Sequence, residues 1–302
     1  MLSSIEAKSE YVISASKYQK ENCPSSLGSV RFINHFITEN SLNVIEKLLK
    51  EYFADEIKQK PRVCVVGLHA CADLSVTMLD IFSKMSYFGV LAIMPCCYHR
   101  LKQKTNGEFF NFPVSNVLKM LGTLYNGEEF LKVPFLRLAC QQTIEKFKSL
   151  PLAERQKQSK SWMLRAILQF IAKEENCTVQ RLKRKSGKHT DYEAANLIEK
   201  YVSNIGDTHK VIYKGNVDDR ERPMDESLLK KKFLEKWSEY EEQCDVLEFL
   251  STFQTHIQTI CENLVLLDRV QFLQEKGLQC FCYKIADNYI SPRCHALIAF
   301  KM

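Results

Sequence analysis

Two short apolar runs constrain this chain more than anything else in it. Val63–Leu68 and Gly89–Pro95 are rich in β-branched and aliphatic residues, and each is bounded by polar positions. Between them Leu74, Met78, Leu79, Ile81 and Phe82 recur at helical spacing, with Asp73 placed as the helix N-cap and an end near Ser86. Strand, helix and strand in that order predict a right-handed βαβ unit, whose parallel strands are buried on both faces and so read as continuous apolar runs. Each run empties into sulfur and imidazole. His69-Ala70-Cys71-Ala72-Asp73 follows the first, and Cys96-Cys97-Tyr98-His99 follows the second. Ligands of open parallel sheets lie beyond the carboxyl ends of the strands, so both clusters are expected at one edge of the sheet.

The flanking sequence extends this unit. Ile5-Glu6-Ala7 reads as a strand end and Ser9–Lys20 as a helix. Val30–Phe36 reads as a short strand, followed by a helix capped by Ser41 or Asn43 with Val44, Ile45, Leu48, Leu49 and Phe53 on one face. Such alternation predicts a doubly wound α/β sheet. From residue 101 to about 245 strand signals vanish and charged, weakly periodic helical segments take over, a mainly helical insertion between residues 1–100 and 246–302. Val246–Gln274 then reads as one long helix with Phe249, Leu250, Phe253, Ile257, Ile260, Leu264, Leu267 and Val270 as its buried stripe, stopped by Gly277. Cys280–Ile285 and Cys294–Phe300, joined by a polar turn, predict an antiparallel β-hairpin at one edge of the sheet.

Composition narrows the function classes. The net charge is +6 and the pI about 8.6, mildly basic, compatible with an RNA partner and far from an obligate nucleic-acid binder. Arg181–Lys188 concentrates basic residues, either as a solvated loop or as a contact for phosphates. The 12 cysteines sit partly inside strand-like runs, and no N-terminal apolar signal segment is evident, so reduced thiols in a cytoplasmic or nuclear setting are expected. The apolar runs are too short to cross a membrane.

Four separated blocks carry a family resemblance. Gly67–Ser75, Pro95–Leu101, Asn263–Arg269 and Ile290–Cys294 together resemble the methyltransferase-like protein 25 family, whose relatives include proteins with a ribosomal RNA adenine dimethylase domain. The resemblance implies a Rossmann-like seven-strand S-adenosylmethionine-dependent methyltransferase sheet, with RNA or an RNA-associated protein as acceptor. It also implies that the family's glycine usually stands where Ala72 does. The first strand of such a fold ends in an Asp-x-Gly-x-Gly loop that approaches the cofactor closely. No glycine precedes Gly28 here, and Glu6 falls where the acid that holds the cofactor ribose belongs. An N-terminally truncated version of the sheet is therefore expected, or a non-catalytic interaction protein that keeps the fold without the cofactor.

Methyl transfer needs alignment, with a base only where the acceptor must lose a proton. His69 and His99 are the candidate bases, with Asp73, Cys96 and Cys97 beside them in the catalytic set; Glu6, His69 and Cys71 are the candidate cofactor contacts. Each histidine could equally be a polar strand terminus, and Asp73 a plain cap. The Asn/Asp-Pro-Pro-aromatic motif of adenine amino methylation is missing after Val63–Leu68. The paired clusters instead resemble the Cys-Cys-His-His stretch of tRNA 2′-O-methyltransferases, in which a histidine base suits a ribose hydroxyl. Zinc is not expected: no two of the clustered cysteines are separated by two residues, and adjacent Cys96 and Cys97 would point to opposite sides of an extended strand.

Overall fold

In a computed structural model the chain is described over residues 2–52, 63–182, 197–215 and 222–301. Phe53 and basic residues 183–188 lie outside these. The chain divides into two compact units, residues 1–143 with 257–302, and residues 144–256.

The first unit opens with β1 (Leu2–Glu6), α1 (Ser9–Asn22), β2 (Val30–Asn34) and α2 (Leu42–Tyr52). The α2 helix is entered through a capped turn at Thr38, whose hydroxyl accepts the Asn40 N–H, rather than through Ser41 or Asn43 as caps. The central unit follows as β3 (Val63–Cys71), α3 (Asp73–Lys84) and β4 (Phe88–Cys96), with β3 and β4 parallel. Two helices follow β4, α4 (Asn116–Leu124) and α5 (Val133–Ala139).

The second unit holds α6 (Ile144–Lys148), α7 (Leu152–Glu174), β5 (Cys177–Arg181), α8 (Leu197–Ser203), α9 (Ile205–Thr208), β6 (His209–Tyr213) and α10 (Glu226–Tyr240). β5 and β6 pair antiparallel, so this region is not free of strands. Charged residues interrupt both of these short segments and hide their period. Ile167, Leu168 and Ile171 of α7 pack with Val211 and Phe233 in this unit's core. The long helix α11 (Cys244–Gln274) begins in the second unit and ends in the first, where β7 (Gln279–Lys284) and β8 (His295–Phe300) form the expected hairpin.

Strands of the first unit form two sheets, β1-β2, parallel, and a mixed sheet in the order β3-β4-β8-β7. Its register places Leu91, Ile93, Leu297, Ala299 and Cys280 on one face. That face is buried on Leu79 and Phe82 of α3, Ile45 and Leu49 of α2, and Leu266, Val270 and Leu273 of α11. Each large aliphatic or aromatic side chain so buried stabilises the fold by about 1.5–3 kcal/mol. Gly67 leaves room for this packing: a Cβ would stand 2.8 Å from Met78 Cε and 3.3 Å from Ile93 Cγ2, so the Met78 side chain would have to move aside. The opposite face is apolar and open: Val66 is 67% exposed and Leu68 66%, with Phe281, Tyr283 and Phe300 also exposed. β3 therefore reads as a one-sided strand at the sheet's edge. This departs from the two-sided burial expected of it, since among the described residues no strand pairs with its free edge.

The helical region also divides elsewhere than the sequence suggests, because residues 101–143 belong to the first unit. Helix α11 explains this. Phe249, Leu250, Phe253, Ile260 and Leu267 of the expected stripe are exposed, while Gln258, Cys261, Glu262, Val265, Asp268 and Arg269 are buried. The polar members of that buried face hold the segment after β4 in place.

Candidate functional site

Parallel pairing sets Cys71 directly beside Cys96 at the carboxyl ends of β3 and β4. Their sulfurs are 3.0 Å apart. Strand β4 ends at Cys96, and Cys97 adopts a left-handed backbone with φ 54°. The chain therefore turns at Cys97 instead of alternating, and the thiols of Cys71, Cys96 and Cys97 all lie within 4.8 Å of one another. The divergence expected of adjacent cysteines depended on an extended strand that is not there. Burial pushes the Cys96 and Cys97 thiols up and the Cys71 thiol adds to it at both, while Cys96 and Arg100 oppose the shift at Cys97.

Ala72 joins β3 to α3 with φ 48°, and its N–H donates to the Cys96 carbonyl at 2.9 Å. Ala72, not Asp73, occupies the N-cap position, and no side chain caps this helix. Asp73 instead reaches the segment after β4, accepting the Lys102 N–H at 3.0 Å and the Asn111 amide at 2.7 Å. Its carboxylate anchors a loop.

The two histidines differ. His69 is exposed at the end of β3. His99 follows the Cys97 turn, is partly buried, and has Nδ1 buried without a partner. Burial lowers its pKa, and Arg137 and Arg100 lower it further, which favours the neutral ring. Burial pushes the Cys140 thiol up, while the backbone of His99 and Tyr98 and the charge of Arg293 oppose the shift. Glu6 ends β1, with one carboxylate oxygen accepting the Lys8 N–H at 3.1 Å. The structure thus brings Cys71, Cys96 and Cys97 together, sets Asp73 at the start of α3 and His99 on the turn after β4, and gives no bond between Glu6 and that cluster.

Beneath the cluster lies a polar network that sequence reasoning missed. Tyr98, fully buried, donates its hydroxyl to Glu262 Oε1 at 3.2 Å and the Pro95 carbonyl at 3.1 Å. Glu262 pairs with Arg293 at 2.6 Å and accepts from Gln258 at 2.8 Å, while Gln258 also donates to the Ala139 carbonyl. Arg269, 0% exposed, donates to the Val265 carbonyl at 2.9 Å and stacks over the Tyr98 ring with its guanidinium 5.5 Å from the centroid. Asp268 accepts the Val114 and Ser115 N–H groups, each at 2.9 Å, and the Ser115 hydroxyl at 2.6 Å. Asp268-Arg269, breaking the apolar run Leu264–Leu267, was the available signal.

An S-adenosylmethionine site needs an acid for the ribose and a backbone cradle free of Cβ atoms. The acid expected there, Glu6, is present at the end of β1, in a two-stranded sheet separate from the one that carries the cluster. Among the described residues the glycines with positive φ, Gly28, Gly107, Gly215 and Gly277, stand at none of the carboxyl ends of β1, β3 and β4. The residues present do not complete that requirement.

Residues 1–104 match a family model described as a methyltransferase domain. The chain is 27% identical over 267 residues to a human protein described as probable methyltransferase-like protein 25, covering 82% of this chain and 38% of the relative. The mouse protein of the same description is 26% identical over 263 residues, covering 82% and 39%. The chain therefore spans well under half the length of these relatives. No solved structure matches it. No helix among the described residues is long and apolar enough to cross a membrane.

Proposed function

We propose, from the premise that this chain is a distant homologue of methyltransferase-like protein 25 with a methyltransferase domain, that it contributes the acceptor side of a methyl-transfer site. S-adenosylmethionine is the methyl donor that such a domain implies. The observation that carries the reading is the register pairing of Cys71 with Cys96, which gathers both strand termini at one sheet edge beside His99. His99 is assigned as proton acceptor for a hydroxyl or amine, with exposed His69 on the neighbouring strand β3 as the second candidate; Asp73 positions the loop after β4. Glu6, His69 and Cys71 are kept as the cofactor contacts, and Cys96 and Cys97 form the floor of the acceptor side. RNA or an RNA-associated protein is the acceptor class, in the cytoplasm or nucleus.

The cradle that the described residues lack belongs, in this reading, to a glycine-loop βα unit pairing with the free edge of β3, which completes the seven-strand sheet. Titrating the chain with S-adenosylmethionine by calorimetry should give weak or undetectable binding, and micromolar binding would refute the division. Transfer itself is read on a chain extended at its N-terminus by a βα unit carrying the glycine loop. Labelling of RNA or protein is expected, and His69→Ala or His99→Ala should slow it by roughly two orders of magnitude. An extended chain that shows neither cofactor binding nor labelling favours the second reading, a non-catalytic interaction protein that keeps the fold without the cofactor. The missing cradle is the observation behind that alternative.

A further inference from the structure

We propose that Cys71, Cys96 and Cys97 form a binding site for a thiophilic divalent ion, zinc, with three thiolate ligands and a fourth position open to solvent. Thiolate is a preferred zinc ligand, and three donors that all lie within 4.8 Å of one another are already gathered without rearranging either strand. Tetrahedral zinc with Zn–S bonds of about 2.3 Å sets its sulfurs about 3.8 Å apart. The Cys71–Cys96 separation of 3.0 Å needs to open by less than an ångström, within the reach of side-chain rotation.

Two further observations point to a cation. The three sulfurs crowd a place where Cys96 is buried and Cys71 and Cys97 are half-buried, with Cys71 and Cys96 already in thiol–thiol contact, so one shared ion can take all three as ligands. Binding displaces three thiol protons and leaves zinc with three thiolates at net charge −1. Arg100, whose charge acts on Cys97, balances it. The left-handed turn at Cys97 gives a paired disulfide nothing, but it adds the third donor. Cys140 is not among the three donors that lie within 4.8 Å of one another. The half-buried Cys71 and Cys97 leave the fourth position facing solvent, as in zinc sites that bind a water or substrate atom. This inference does not depend on methyl transfer, because metal content is measurable without any activity.

The test uses the whole chain purified with a reducing agent, with zinc measured by elemental analysis. About one zinc per chain is expected, and Cys71→Ser, Cys96→Ser and Cys97→Ser should each weaken binding on the order of a hundredfold, with Cys23→Ser unchanged. A footprint on the unaltered chain keeps the test decisive should a variant not fold. Adding zinc should slow alkylation of Cys71 and Cys97 by more than about tenfold while exposed Cys23 reacts at its former rate. Zinc-free chain that stays zinc-free in buffered excess zinc overturns the proposal. So does alkylation of the cluster indifferent to zinc, or zinc retained at full affinity by the serine variants.

Discussion

Replacing Asp268 by alanine tests whether the segment after β4 is held by one buried carboxylate. Asp268 is 2% exposed and receives the Val114 and Ser115 N–H groups and the Ser115 hydroxyl. Hydrogen bonds to a charged group contribute about 1.5–3 kcal/mol each, so a simple sum gives about 4.5–9 kcal/mol. That sum is too large. Ser115 Oγ keeps its bond from the Leu118 N–H at 3.2 Å, so the main cost is two stranded backbone donors at about 1–3 kcal/mol each. Asp268 is also the foremost charge favouring the protonated form of buried Arg269, and removing one partner of a buried charge pair costs about 3–5 kcal/mol. These contributions overlap, and the net loss should be about 3–5 kcal/mol. Hydrogen exchange read by mass spectrometry localises it: amides of residues 112–124 should exchange about a hundredfold to several thousandfold faster, at tenfold per about 1.4 kcal/mol. Peptides from β5 and β6 should be unaffected. Acceleration below about fivefold at residues 112–124 would show that Asp268 does not hold this segment.

Ala72→Gly should stabilise the first unit by about 0.4–1 kcal/mol or more in urea denaturation, because Ala72 occupies φ 48° where a Cβ is strained; a loss of stability would remove strain from the account of that turn. The two faces of the sheet should respond differently. Leu91→Ala, at a fully buried position, should cost about 2–5 kcal/mol, whereas Val66→Thr on the exposed face should change stability by less than about 0.5 kcal/mol, and equal costs would contradict the open face. Tyr98→Phe removes the donor to Glu262 and the Pro95 carbonyl and should cost about 1–2 kcal/mol by the same denaturation, with no change pointing to a dispensable hydroxyl. Burial pushes the Cys280 thiol up to about 12. Iodoacetamide at pH 8 should leave it unmodified in the folded chain while exposed Cys23 reacts, and equal labelling by mass spectrometry would place Cys280 outside the core.

Local periodicity made much of the secondary structure legible. Continuous β-branched runs announced β3 and β4, helical spacing from Leu74 to Phe82 announced α3, and the polar turn after Ile285 announced the hairpin. These are short-range signals, set by residues within a few positions of one another. The Cys and His clusters at the ends of β3 and β4 followed from strand direction alone.

Tertiary packing decided which faces are buried and where each side chain points. Helix α11 buries Glu262, Asp268 and Arg269 and leaves Phe249, Phe253 and Ile260 outside, which apolar periodicity reverses, because a polar group goes inside whenever a distant partner such as Ser115 or Arg293 satisfies it. Likewise Cys97 joins Cys71 and Cys96 only because the chain leaves the extended conformation at that residue. Residue types and spacing determined that sulfur would gather at the strand ends. A single backbone turn and the register of two strands determined that three thiols would meet, since those depend on contacts between residues 25 or more positions apart.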